Sequence, residues 1–190
     1  MKKIGLIGAA GLGRSTFGKE IAKKEEIIFL PSKDITRPLL KKYGWKYREN
    51  SCVEKFLARK DIEFELVSER IYQESLLVGG FVTDRTTLEC FAYALLRSEE
   101  YSDNDLSLLE KMCKENMKKY THLFYFPYHC GWFEENGVRT SSVYFQWQID
   151  MMIRGLLKDW GIVYSPIPDN VDIMDFISDQ LKQSFIISLD

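Results

Sequence analysis

The sequence has little of what builds metal-held or disulfide-held scaffolds. Its 190 residues include 4 cysteines and 2 histidines. Cys52, Cys90, Cys113 and Cys130 form no C-x-x-C pair, and the histidines are His122 and His129. That pattern excludes a zinc ribbon and a disulfide-knit domain, and scattered thiols suit a reducing cytosol. Neither sign of charge is in excess. With 26 basic and 28 acidic residues the net charge is −2, so nothing pulls the whole chain toward nucleic acid or an anionic membrane. No apolar run approaches the roughly 20 residues a membrane span needs. No charged-then-apolar leader opens the sequence, and no repeat or low-complexity tract interrupts it. With 45% hydrophobic and 14% aromatic residues a sizeable core is available. The expectation is a soluble, cytoplasmic, single-domain protein over residues 1–190 with no membrane partner.

What is present is an alternation of short apolar runs and amphipathic segments. "KKIGLIG" ends in glycine and reads as a buried strand. A helix follows from Arg14 to Lys24, with Phe17, Ile21 and Ala22 on one side. "EIIFLP" is a second strand, stopped by Pro31, and a helix runs from about Ile35 to Tyr43, closed by Gly44. The stretch from about Ser51 to Leu77 is periodic and predicts one or two helices, broken by Gly79-Gly80. "GFVTD" is a third strand with the helix "RTTLECFAYALL" behind it. The segment from Ser102 starts with good N-cap residues and continues helically. "THLFYFP" and "GIVYSP" are the fourth and fifth strands, separated by a polar, glycine-punctuated loop and the helix "SSVYFQWQIDMMIRGLLKDW". The tail from Val171 reads as helix. This order predicts an α/β domain with a five-stranded parallel sheet flanked by helices, with right-handed crossovers. In such sheets ligands bind beyond the carboxyl ends of the strands, so the residues just after each strand are the functional candidates.

The first strand leads into "GAAGLGRST". Apart from one letter this is a phosphate-binding loop, G-x-x-x-x-G-K-[ST], in its required strand-to-helix setting. Gly8, Gly11 and Gly13 would let backbone N–H groups converge on an anion at a helix N-terminus. Arg14 stands where lysine is expected and would reach the β- and γ-phosphates, and Ser15, followed by Thr16, is placed to bind Mg²⁺. A plain glycine-rich turn is the competing reading. After the third strand, Asp84 is placed as general base or as a carboxylate in a metal's shell, and Arg85 as a clamp on the acceptor. Capping of the next helix by Asp84 is the bland alternative. After the second strand, Lys33 and Arg37 face the same crevice or a solvated helix start. After the fourth strand comes a loop long enough to be a lid, over about 128–141, with Arg139 placed to neutralise charge on a transferred group. His129 reads as structural. Arg154 either points into the site or lies on the surface, and the aromatic set Trp132, Phe133, Tyr144, Phe145 and Trp147 reads as packing rather than base stacking.

Three blocks in order, "GLIGAAGLGRST", "GGFVTDRTTLECFAYALL" and "THLFYFP…GVRTSSVYFQWQIDMMIRGLL", resemble the P-loop nucleoside and nucleotide kinases. The likeness is to the AAA-ATPase-like group that includes the ribosylnicotinamide kinase domain. Similar chains are common in bacteriophages, among them kinases acting on hydroxymethyluracil in DNA. The resemblance implies a P-loop NTPase fold, ATP with Mg²⁺, and transfer of the γ-phosphoryl group to a nucleoside-like acceptor. By position it implies that Gly8, Gly11, Gly13, Arg14, Ser15 and Thr16 hold ATP, with Ser15 and Asp84 at the metal. Asp84, Arg14 and the lid residue Arg139 would serve the transfer. Arg85, Lys33, Arg37 and Glu89 would meet the acceptor, Glu89 standing where many relatives carry aspartate. Arg14 departs from the family pattern, and a planar guanidinium does not simply replace an ammonium. Three functions follow: a kinase on a small nucleoside or nucleotide; a kinase on a modified base in DNA, using the basic segment Lys33, Arg37, Lys41, Lys42, Lys46 and Arg48; and a nucleotide-binding regulator without turnover.

Overall fold

A computed structural model describes residues 1–44, 60–128 and 142–182. The run "KIGLIG" forms the central strand β1 (Lys3–Gly8), whose Ile4, Leu6 and Ile7 are fully buried. A strand covered on both faces has no reason to alternate, and this one does not. Helix α1 (Arg14–Glu25) follows, then β2 (Ile28–Leu30), α2 (Ser32–Lys42), α3 (Lys60–Leu76), β3 (Phe81–Thr83), α4 (Thr87–Leu95), α5 (Asp103–Met117), β4 (His122–Phe126), α6 (Val143–Asp159), β5 (Ser165–Pro166) and α7 (Ile173–Lys182). The five strands make one parallel sheet in the order β2-β3-β1-β4-β5. The core lies on both faces of β1 and draws on α3, α4, α5 and α6.

Register decides what meets at the sheet's carboxyl edge. Gly5 of β1 pairs with Thr83, the last residue of β3, so the chain after β3 runs beside Leu6 to Gly8. On the other side Gly8 pairs with Phe126, the last residue of β4. The order of strands reverses about β1, and such a reversal opens a crevice beyond the strand ends.

Three elements differ from the sequence reading. Helix α2 starts at Ser32 rather than Ile35, with Pro31 as its extended N-cap and Pro38 inside it. Pro38 has no N–H to donate to the preceding turn, yet the helix continues because Ile35, Thr36, Leu39 and Leu40 are buried beneath it. The fifth strand is only Ser165–Pro166. It lies at the edge, where proline's missing donor is tolerated, and Ile167 N–H donates to the Tyr125 carbonyl at 2.8 Å to extend the contact. The cap of α4 is Thr86, not Asp84: Thr86 and Glu89 form a reciprocal capping box.

The expected lid beyond Tyr128, with His129 and Arg139, the aromatic residues Trp132 and Phe133, the basic residues Lys46 and Arg48, and Cys52 and Cys130 lie outside the described residues. The other two cysteines, Cys90 and Cys113, are free and buried. Among the described residues no helix is long and apolar enough to cross a membrane.

Candidate active site

The glycine loop takes backbone conformations that side chains resist. Gly8 has φ +153°, and a Cβ there would sit 2.7 Å from the Phe126 carbonyl oxygen. Gly13 has φ +71° and forms the N-cap of α1. No side chain caps α1 and its first turn holds no acidic residue. Its leading N–H groups are left without a side-chain cap, and the positive end of its dipole suits an anion. Ser15 and Thr16 are exposed at this helix start.

Asp84 comes to the loop from β3. It is buried to 8% exposure, and one carboxylate oxygen accepts the Ser15 hydroxyl. The other accepts the Ser32 N–H at 2.7 Å. Asp84 thus holds the first turn of α2 from across the sheet while its charge sits against the loop's serine. A serine hydroxyl and a carboxylate side by side are oxygen ligands of the kind a hard cation such as magnesium takes. Among the described residues no group of three or more His, Cys, Asp or Glu side chains is placed to hold a metal ion.

Arg85 is half-buried, with its guanidinium 4.9 Å over the Tyr93 ring. Burial works against its charge, but Tyr93, Cys90, Glu89 and Glu63 more than offset this and hold it above the usual arginine range. Among the described residues its guanidinium stands in no salt bridge. Lys33 and Arg37 are exposed on the outer side of α2, four residues apart, away from its buried face.

Arg14 does not extend toward the crevice. Its side chain is 7% exposed, and its guanidinium lies beneath the loop. Nη1 donates to the Leu6 carbonyl at 3.0 Å and to Glu89, and Nη2 donates to the Ala9 carbonyl at 3.1 Å. A planar fork of donors finds several acceptors there that one ammonium could not span. Glu89 likewise does not face an acceptor. It is fully buried: Oε1 takes Arg14 and the Gly8 N–H, and Oε2 takes the Thr86 N–H at 2.8 Å and hydroxyl at 2.6 Å. Its carboxylate is used up by the loop and by the start of α4. The T-x-x-E spacing at 86–89 is a capping-box signal visible in the sequence, and it points to this role.

The structure adds residues that strand-end reasoning missed. Arg70 of α3 is fully buried. It donates to the Arg85 carbonyl at 2.6 Å, the Thr83 hydroxyl at 3.2 Å and the Ser32 hydroxyl at 3.1 Å, and it pairs with Glu74 at 3.6 Å. It ties the end of β3 to the start of α2. Two turns earlier on the same face, buried Glu63 accepts from Arg97 at 3.3 Å. Burial raises its carboxyl to about 7, against the lowering pull of Arg97, Arg85 and Arg70. Charged residues at the apolar-face spacing of a helix, Glu63, Arg70 and Glu74 beside Ile62, Leu66 and Val67, are the signal that was there to be read. From α6, Gln146 accepts the Ala10 N–H of the loop at 3.1 Å while fully buried. Asp150 accepts the Tyr125 hydroxyl at 2.5 Å, the Tyr128 N–H at 3.3 Å and Arg154 at 3.0 Å. Arg154 is half exposed and tied to the β4 side, not to the glycine loop. Of the aromatic set, Phe145 packs near Tyr93 at 6.2 Å, whereas Tyr144 and Trp147 are exposed rather than packed.

A parallel sheet in this order, with a glycine loop after its central strand and an acidic residue after the neighbouring strand, is the P-loop NTPase fold. The AAA domain family matches residues 3–173, and the chain belongs to that family. None of the curated proteins matches it in sequence. Among solved structures, all of the chain aligns with NadR protein in complex with NR at TM-score 0.73 and 13% identity, covering 53% of that protein. All of it likewise aligns with NadR in complex with NAD and AMP-PNP at TM-score 0.70 and 13% identity, covering 51%. The chain therefore spans about half the length of those proteins. Deoxyadenosine kinase from M. mycoides with dCMP and dCDP bound is similar over 95% of this chain and 98% of that one, at TM-score 0.64 and 16% identity. The shared feature is the fold.

Proposed function

We propose that this protein is an ATP-dependent kinase that transfers the γ-phosphoryl group to a hydroxyl or phosphate of a small nucleoside- or nucleotide-type acceptor. The observation behind this reading is the contact between Ser15 at the glycine loop and Asp84 at the end of β3, with Arg85 next in the chain. Asp84 is the group that would take the acceptor's hydroxyl proton as the new P–O bond forms. Arg85, held on Tyr93, would orient the acceptor and meet its negative charge. The loop amides and the start of α1 would bind the phosphates, with Ser15 and Asp84 holding magnesium, which supplies charge neutralisation when bound. Arg139 is proposed as a lid arginine that meets charge on the transferred group, and Lys33 and Arg37 as outer contacts to an acceptor's phosphate.

The inward position of Arg14 gives a second reading some support: a nucleotide-binding regulator could hold its loop cation this way and never turn over. One experiment separates the readings. The full chain is incubated with γ-labelled ATP and Mg²⁺, with nucleosides, nucleoside monophosphates and DNA of normal or hydroxymethylated bases as acceptors. Label on a nucleoside or monophosphate is the expected result. Label on the hydroxymethylated DNA alone would replace the small acceptor by a base in DNA. ATP binding with no transfer to any acceptor would favour the regulator and refute the kinase.

A further inference from the structure

We propose that Glu89 is a positioning residue for nucleotide binding and acts through Arg14. This rests on the reading of the glycine loop as a nucleotide site. The guanidinium of Arg14 crosses beneath the loop and joins the Leu6 carbonyl of β1, the Ala9 carbonyl of the loop and the Glu89 carboxylate of α4. The same carboxylate oxygen accepts the Gly8 N–H at 3.4 Å, so Glu89 grips the loop at its first glycine and through its cation. Both side chains are buried, at 7% and 0% exposure. The pair is neutral as a unit. The pull on phosphate then comes from backbone N–H groups and the α1 terminus, and the work of the ion pair is to fix the curve along which those donors point. Removing one charge leaves the other buried without compensation, so the guanidinium must move and the Ala9 carbonyl of the loop must move with it.

The test measures the dissociation constant of ATP by calorimetry, and KM values for ATP and for the best acceptor, on the full chain. Glu89→Gln is expected to weaken ATP at least tenfold while the acceptor KM stays within twofold. Thr86→Ala loosens the same helix start without touching Arg14 and is expected to leave ATP affinity within twofold. Arg14→Lys keeps a positive partner for Glu89 and so preserves the fold, but its single ammonium cannot span the three acceptors; it too should weaken ATP. The proposal is overturned by unchanged or tighter ATP binding in Glu89→Gln, since Glu89 would then restrain a cation that serves better when free. It is overturned equally by a matching loss in Thr86→Ala, which would mark a stability effect. If Glu89→Gln does not fold, tighter ATP binding in Arg14→Lys overturns it alone. A wild-type chain that binds no ATP would instead remove the nucleotide reading itself.

Discussion

Asp84→Asn is the substitution that most directly tests the chemistry, because the structure lets charge be removed with little else. The Asp84 carboxylate accepts the Ser32 N–H at 2.7 Å through one oxygen and the Ser15 hydroxyl through the other. Asparagine is the same size. Its carbonyl oxygen can still accept from Ser32, and its amide N–H can donate to the Ser15 oxygen once that hydroxyl turns. Both tethers survive, so unfolding free energy should change by no more than about 1 kcal/mol. What is lost is the carboxylate charge, which the proposal uses as base and as a magnesium ligand. A positioned base contributes about 10²–10⁴ in rate, or roughly 3–5 kcal/mol of barrier. Turnover of the best acceptor should therefore fall at least about a hundredfold, while ATP binding measured without metal changes little. Urea unfolding, calorimetry with ATP and steady-state kinetics on the same preparation separate these quantities. Activity within a few-fold of wild type would remove Asp84 as the base. A large loss of stability would show instead that its bond to α2 is its main role.

Further substitutions probe the frame around the site. Gly8→Ala would place a methyl group 2.7 Å from the Phe126 carbonyl at φ +153°, so it should cost at least about 2 kcal/mol in urea unfolding and weaken ATP binding; near wild-type stability would contradict the loop's conformation. Arg70→Met removes one of two donors to the Arg85 carbonyl, the Thr83 hydroxyl remaining at 3.0 Å, removes the donor to the Ser32 hydroxyl, and leaves Glu74 to Lys119 at 2.7 Å; it should destabilise by about 2 kcal/mol and raise the acceptor KM, and a loss under about 0.5 kcal/mol would refute its role as the tie between β3 and α2. Glu63 binds its proton more tightly in the folded state, near pH 7 against 4.5 for the ordinary carboxyl, so its contribution is fully present below about pH 4.5 and is lost as pH rises through 7. That difference corresponds to roughly 3 kcal/mol, and Glu63→Gln should flatten the fall in stability over this window; an unchanged slope would assign the titration elsewhere.

Strands and most helices were legible because hydrophobic periodicity is a local property. "KIGLIG", "HLFYF" and the helix behind Thr87 are buried in the fold where their apolar patterns say they should be. The glycine spacing from Gly8 to Gly13 was legible for the same reason: unusual backbone angles demand glycine wherever the chain goes. Strand alternation with helices was enough to place Asp84 and Ser15 on one edge, and the structure brings them into contact. The start of α2 was not legible. It depends on an acceptor supplied by Asp84, 52 residues further along the chain. The direction of Arg14 was not legible either. An arginine at a loop's cation position turns outward or inward according to what lies beneath it, and the acceptor beneath this one comes from Glu89, 75 residues away.

The sequence by itself thus determined the class of fold, the order of its elements and the identity of the loop, since each follows from short-range patterning. Only the tertiary structure decided how the charges pair: Arg14 with Glu89, Arg70 with Glu74, Arg97 with Glu63, and Asp84 with two hydroxyl- and amide-bearing neighbours. The reason is physical. A buried charge must find compensation wherever the packed chain provides it, and the register of a parallel sheet, not proximity in sequence, sets which side chains arrive there.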